Sequence, residues 1–134
     1  MPAYLRLRIG AEAYAVPVEF VREVFELGRV EAVPGARPEI LGVRNVRGQI
    51  LPVAELAPLL GLARAAPPGR LLLAEAGGRQ AGFAVDEVGG VSELPALTEE
   101  TQSGLLTGAT FADGELTGVI DMPRVFATLE GTRS

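Results

Sequence analysis

The sequence predicts an all-β fold, a barrel or sandwich assembled from two similar halves. Short apolar stretches recur along the chain between turn residues, and the 134 residues include 17 glycines and 10 prolines, the pattern of many short strands joined by tight turns. One block, Ala15 to Val24, lines up without gaps on Gly82 to Val91 at an offset of 67 residues, half the chain length. Val18 falls on Val85, Glu19 on Asp86, Val21 on Val88 and Val24 on Val91. A second block, Gly42 to Leu56, corresponds more loosely, with one insertion, to Gly108 to Met122. Each of these holds a strand, a turn (Arg47-Gly48 or Asp113-Gly114), a second strand, and an acid before an apolar residue (Glu55-Leu56 or Asp121-Met122). Chance likeness of valine-rich strands would explain one block. Two blocks in the same order indicate a duplication.

The elements follow in order. In Tyr4-Leu5-Arg6-Leu7-Arg8-Ile9 the residues Leu5, Leu7 and Ile9 point one way and Tyr4, Arg6 and Arg8 the other, the period of a half-buried strand. Gly10-Ala11-Glu12 is a turn, and Ala13 to Val16 returns as a strand. Pro17 to Phe20 has room for one helical turn, and Val21 to Phe25 is β-rich. Pro34-Gly35 and Pro38 punctuate a loop, with a single helical turn expected at Pro38 to Leu41, since proline is tolerated at a helix start. Ala54 to Leu60 is expected as a short helix ended by Gly61, and Ala63 to Gly69, with Pro67-Pro68, as the linker. Strands follow at Leu71 to Ala74, Gln80 to Val85, Val91 to Leu94, Leu105 to Phe111 and Glu115 to Ile120, with Pro95 to Gly104 an exposed polar loop. Gly89-Gly90 reads as a turn between strands. Met122 to Leu129 suits a terminal helix with Asp121 as its N-cap, whose carboxylate accepts a hydrogen bond from a first-turn amide.

Composition narrows the function. A chain of 134 residues buries roughly two thirds of its unfolded surface, but lobes of about 60 residues are marginal alone and should share an interface. There is no cysteine and no histidine. That excludes disulfides, thiolate nucleophiles, Ser-His-Asp triads and the commonest transition-metal ligand. No cofactor is expected. The net charge is −5, from 17 acidic and 12 basic residues, aromatics make up 5%, and tryptophan is absent, which argues against nucleic-acid binding. No apolar run approaches the roughly 18 residues of a membrane span, and the start of the chain lacks the basic and apolar regions of a signal peptide. A cytoplasmic protein with no direct membrane insertion is expected.

Arg47 is the first functional candidate. It sits beside Gly48 at a hairpin tip, where a long cation stays in solvent and its planar fork can pair bidentately with a partner carboxylate. The plainer reading is a solvated turn arginine. Asn45 can hold the turn through bonds to nearby backbone or contact a partner, and Gly48 is expected to supply a positive φ. Pro52, without an amide hydrogen, marks an edge or bulge, and an open edge can accept another strand. By alternation Val21 and Glu23 share a strand face, making a small mixed patch, unless Glu23 is an ordinary solvated acid. Asp86 and Glu87 are adjacent on an extended chain and face opposite sides, whereas acid–base catalysis needs convergent carboxylates. Gly89-Gly90 lacks the lysine and hydroxyl of a phosphate loop.

The stretch Gly42 to Leu56 resembles the Asn-Leu-Arg-Gly-x-Ile-x-Pro-x-x-Asp-Leu signature of CheW-like domains, with Val46 in place of Leu and Glu55 in place of Asp. Ala13 to Val18, Val21 to Val24, Val33-Pro34 and Phe83 to Val91 resemble further family elements in the expected order. The resemblance implies one domain over residues 1–134, with two small five-stranded barrels packed around a third hydrophobic core. Lobe one is expected at about 13–66 and lobe two at about 67–129, with the N-terminal strand and C-terminal helix open to exchange between them. It implies a non-catalytic adaptor joining the regulatory domain of a CheA-type histidine kinase to the cytoplasmic tip of methyl-accepting chemoreceptors, held at receptor arrays on the inner membrane through those partners. Val21, Glu23 and Arg47 fall where partner contacts are expected. Gly89-Gly90 departs from the family's Ser-Asp-like pair, and Thr117-Gly118 interrupts the last strand pair. The alternative is a ligand-binding or accessory β-domain of a larger enzyme.

Overall fold

Alternation decides the first strand. In β1 (Ala3–Ile9) Leu5, Leu7 and Ile9 are buried, while Tyr4, Arg6 and Arg8 remain half-buried. The computed structural model describes residues 2–63, 68–97 and 104–130. After β1 come β2 (Glu12–Pro17), a 3-10 turn (Val18–Phe20), β3 (Val21–Glu26), β4 (Ile40–Val46), β5 (Gln49–Glu55) and α1 (Leu56–Leu59). The second half holds β6 (Arg70–Ala76), β7 (Arg79–Val85), β8 (Glu87–Glu93), β9 (Leu106–Ala112), β10 (Glu115–Ile120) and α2 (Met122–Glu130).

These strands form two five-stranded sheets, sheet I in the order β8-β1-β2-β10-β9 and sheet II in the order β3-β6-β7-β5-β4. Moving five strands along the chain turns one order into the other, so the duplication is visible in the pairing itself. Neither sheet is one half of the chain, however. The expected division at 13–66 and 67–129 gives way to an exchange of whole hairpins. The β1–β2 hairpin joins the last three strands, and the β6–β7 hairpin joins β3, β4 and β5. The physical reason is burial on both faces. Ala13 to Val16 and Ala81 to Val85 are buried without interruption, so β2 and β7 need neighbours on both sides, and each takes a parallel partner from the other half, β10 and β5.

The largest apolar core lies between the sheets. Leu7, Val16, Leu72, Phe83, Met122 and Phe126 belong to it, so both sheets and α2 contribute. A small core on sheet I holds Ala15, Leu94 and Ala112, and one on sheet II holds Val53, Leu71 and Ala84. The C-terminal helix is set against sheet II: Phe126 meets Phe83 edge-on, with ring centroids 5.6 Å apart. Arg37, in the loop before β4, donates to the Thr128 carbonyl near the helix end, 2.8 Å away. Asp121 caps the helix, its Oδ1 accepting from the Arg124 amide at 3.1 Å.

Three local expectations change. Only Pro38-Glu39 form a turn, and Ile40 already belongs to β4 because it pairs with Ala54. Ala54 and Glu55 are strand, not helix, since they pair in parallel with Phe83 and Ala84. Gly89 and Gly90 lie inside β8, where the register against β1 shifts between Leu5↔Val91 and Leu7↔Val88, so they make a bulge and not a turn. The expected linker falls partly, at 64–67, outside the described residues, as does 98–103 of the polar loop.

Pro52 is not on an edge strand, since β5 lies between β7 and β4. Its opposite residue, Val43, turns both backbone polar groups away, exchanging hydrogen bonds of 2.8 Å with Glu31. Val43 and Pro52 are therefore a non-hydrogen-bonded pair, where the missing amide hydrogen costs nothing. Gly42 makes this approach feasible. Its φ is +152°, and a Cβ there would stand 2.0 Å from the Glu31 carbonyl oxygen. Gly42→Ala is expected to cost about 1–3 kcal/mol of stability, read as a lowered melting midpoint, with the Glu31–Val43 amides losing protection from exchange.

Candidate functional site

The hairpin between β4 and β5 turns in two residues. Arg47 and Gly48 both have positive φ, 52° and 86°, the type I′ geometry that matches the twist of paired strands. Gly48 supplies the expected positive φ. Asn45 holds the turn, its Oδ1 accepting from the Gly48 amide at 2.8 Å. The turn projects the Arg47 side chain, 67% exposed, across to the outermost strand of sheet II, where its guanidinium pairs with Glu23. The clasp runs from the β4–β5 turn to β3, an outer strand of the sheet.

A bulge sets the orientation of Glu23. Val21 stands opposite Ala74, but Glu23 stands opposite Leu73, so Arg22 is the extra residue. Cross-strand partners share a face. Val21 therefore points with Ala74 toward the inter-sheet core, and Glu23 points with Leu73 to the other side. The expected shared face of Val21 and Glu23 is corrected by this one inserted residue. Val21 stays half-buried, packed against the main core.

Glu23 and Arg47 stand over a shallow depression whose floor is Leu51 and Leu73, each 5% exposed. Arg22 and Gln80 also line it, and both are held by Glu75. Glu75 accepts from Arg22 at 3.0 Å and from Gln80 at 3.1 Å. Ile50, 60% exposed, stands opposite Asn45 beside the tip. The arrangement offers an apolar centre ringed by charge, suited to contact with another protein. Arg22, Glu75, Gln80 and Ile50 were not singled out from the sequence. Glu75 and Gln80 flank Gly77-Gly78 symmetrically and pair across that hairpin, a spacing that could have drawn attention to them.

Electrostatics tie Glu23 to Arg47. The Arg47 hydrogen bond holds the Glu23 carboxyl below the ordinary glutamate range, partial desolvation opposes this, and the Coulomb attraction adds to it. The same hydrogen bond and attraction raise the Arg47 guanidinium. A carboxyl lowered in the folded state stabilises the fold above its unfolded pKa, and that contribution is lost as pH falls through the folded value. An NMR titration of the Glu23 side chain is expected to show a midpoint below that of ordinary glutamates, moving up in Arg47→Ala. An unmoved midpoint would mean the two groups do not pair in solution.

Asp86 and Glu87 do not converge. Asp86 Oδ2 accepts from the Gly10 amide at 2.7 Å and so fastens the β1–β2 turn, while Glu87 is exposed on β8. No helix among the described residues is long and apolar enough to cross a membrane.

The model of the family described as CheW-like domain matches residues 3–130. The chemotaxis protein CheW of Rhizobium meliloti is 24% identical over 136 residues, covering 94% of this chain and 88% of the relative. Protein PilI of Pseudomonas aeruginosa is 35% identical over 97 residues, covering 71% of this chain and 54% of its own length. Among solved structures, the scaffolding protein TtCheW from Thermoanaerobacter tengcongensis superposes with a TM-score of 0.77 at 25% identity, covering 90% of this chain and 89% of that one.

Proposed function

The chain belongs to the CheW-like domain family, and from that premise we propose that it is a non-catalytic adaptor coupling chemoreceptors to a CheA-type histidine kinase in chemotaxis or a related motility pathway. Its partners are the kinase regulatory domain and the cytoplasmic tip of methyl-accepting receptors, and it resides in the cytoplasm, held at receptor arrays through them. The observation that carries the docking assignment is the clasp at the rim of sheet II. Arg47 comes from the β4–β5 turn and Glu23 from the outer strand β3, and they meet in solvent over an apolar floor. Both charges contact a partner, with Asn45 and Gly48 fixing the turn that presents Arg47, while Val21, packed toward the inter-sheet core, supports β3 from behind. Two relatives from different organisms carry the name CheW, one with the word scaffolding. That supports the adaptor over a ligand-binding or enzyme-accessory domain.

Isothermal titration of the chain with a CheA-type regulatory domain, and separately with a receptor-tip fragment, tests the reading. Saturable binding of each is expected. No binding to either, from a chain that melts cooperatively, would overturn it.

A further inference from the structure

The duplication gives each position of the Glu23–Arg47 clasp a counterpart in sheet I, and there the clasp is missing. Gly90 lies 67 residues after Glu23, and Asp113 holds the place of Arg47 as first residue of a two-residue turn, with the same φ of 52°. Asp113 turns instead to Arg6 of β1, 3.0 Å away. No described ion pair or hydrogen bond crosses from this hairpin tip to β8. What remains is a groove, closed at one end where the Thr110 hydroxyl donates to the Pro95 and Ala96 carbonyls at 3.1 and 3.2 Å. One wall is the consecutive run Gly90 to Pro95, and the other is Phe111 to Asp113. Val91 and Phe111 face each other across it, each 56% exposed. The Ser92 hydroxyl on its wall is buried and has no hydrogen-bond partner among the described residues.

β8 also presents backbone. It is the outermost strand of sheet I and pairs only with β1 among the described residues. Its centre, Val88-Gly89-Gly90-Val91, carries no charge and no proline, so the Gly89-Gly90 bulge is the one guard within it. Nothing lies within 4 Å of where a Gly90 side chain would begin, so the strand's face is open at this point. β3, its counterpart, is guarded by Arg22, Glu23 and Glu26.

We propose that the groove beside β8 is a second docking site, taking an extended segment of a partner protein that adds to β8 as a strand and carries arginine or lysine alternating with apolar residues. Strand addition draws affinity from backbone hydrogen bonds and specificity from side-chain positions. The charge of the surface selects cations. Arg6 and Arg8 are already engaged by Asp113 and Glu115, while Glu87 and Glu93 stand exposed at the two ends of β8. Val91 and Phe111 offer apolar contact to the stems of long cationic side chains. This site is distinct from the Glu23–Arg47 surface and does not depend on its role.

The probe is a blocked heptapeptide of four valines alternating with arginine, threonine and arginine, titrated into the full isotope-labelled chain by NMR. Shifts and slowed amide exchange are expected at residues 87–94. Two twin peptides, one with glutamate for arginine and one N-methylated at alternate amides, should bind at least about tenfold more weakly. Glu87→Lys with Glu93→Lys should reverse the preference toward the glutamate peptide, and the melting curve reports the fold of that variant. Should the variant not fold, the two twins decide alone. Absence of binding at millimolar peptide, shifts centred elsewhere, twins that bind equally, or a folded variant with unchanged preference would each overturn the proposal.

Discussion

Phe83→Ala is expected to remove about 3–5 kcal/mol of stability, the range for deleting a buried phenylalanine ring. Phe83 has no exposed surface and sits in the core between the sheets, edge-on to Phe126. A domain's whole stability is about 5–15 kcal/mol, so the loss brings the chain near its folding threshold. The substitution lies in sheet II, whereas Tyr4 and Tyr14, the chain's two tyrosines, lie in sheet I. Urea unfolding followed by tyrosine fluorescence and by far-ultraviolet circular dichroism should therefore shift to one common lower midpoint. A tyrosine transition that stayed in place while the dichroism moved would show that the sheets unfold independently, against a shared core.

Arg47→Glu is expected to weaken partner binding by at least tenfold, the cost of losing a central arginine contact, and more than Arg47→Ala if the partner presents an acid. The reversed charge would also face Glu23 across the clasp. Both substitutions keep a Cβ at φ 52°, so the strain of the turn stays the same. Arg47 is exposed and bridges only surface groups, and exposed ion pairs add little to stability, so the melting temperature should hardly move. Titration calorimetry with each partner, beside a melting curve, reads both outcomes. Unchanged affinity for both partners would return Arg47 to an ordinary turn residue. A large fall in melting temperature would make it structural.

Local features were legible where the physics is local. The alternation of Leu5, Leu7 and Ile9, the Arg47-Gly48 turn, the Asn45 bond across it and the Asp121 cap each depend on residues within a few positions of one another. The duplication was legible because its two blocks keep nearly the same offset, 67 residues for Val18 and Val85 and 66 for Gly48 and Gly114. The exchange of hairpins was not read, because it rests on parallel pairing between strands far apart in sequence, β2 with β10 and β5 with β7. Its trace is the unbroken apolar run of β2 and of β7, which a strand with one solvated face would not carry. Bulges leave no such trace. The extra residue at Arg22 turns Glu23 to the face opposite Val21, and period-two alternation has no way to register it. Glu23 and Arg47 were each picked out singly, and their meeting across the sheet edge came only with the fold.

An adaptor must hold two proteins at the same time. The direct measurement is titration of the receptor-tip fragment into the chain already saturated with the kinase regulatory domain, with the mass of the product read by light scattering. The receptor fragment is expected still to bind, giving a three-component complex. Displacement of the kinase domain by the receptor fragment, or no binding to the preformed pair, would contradict it.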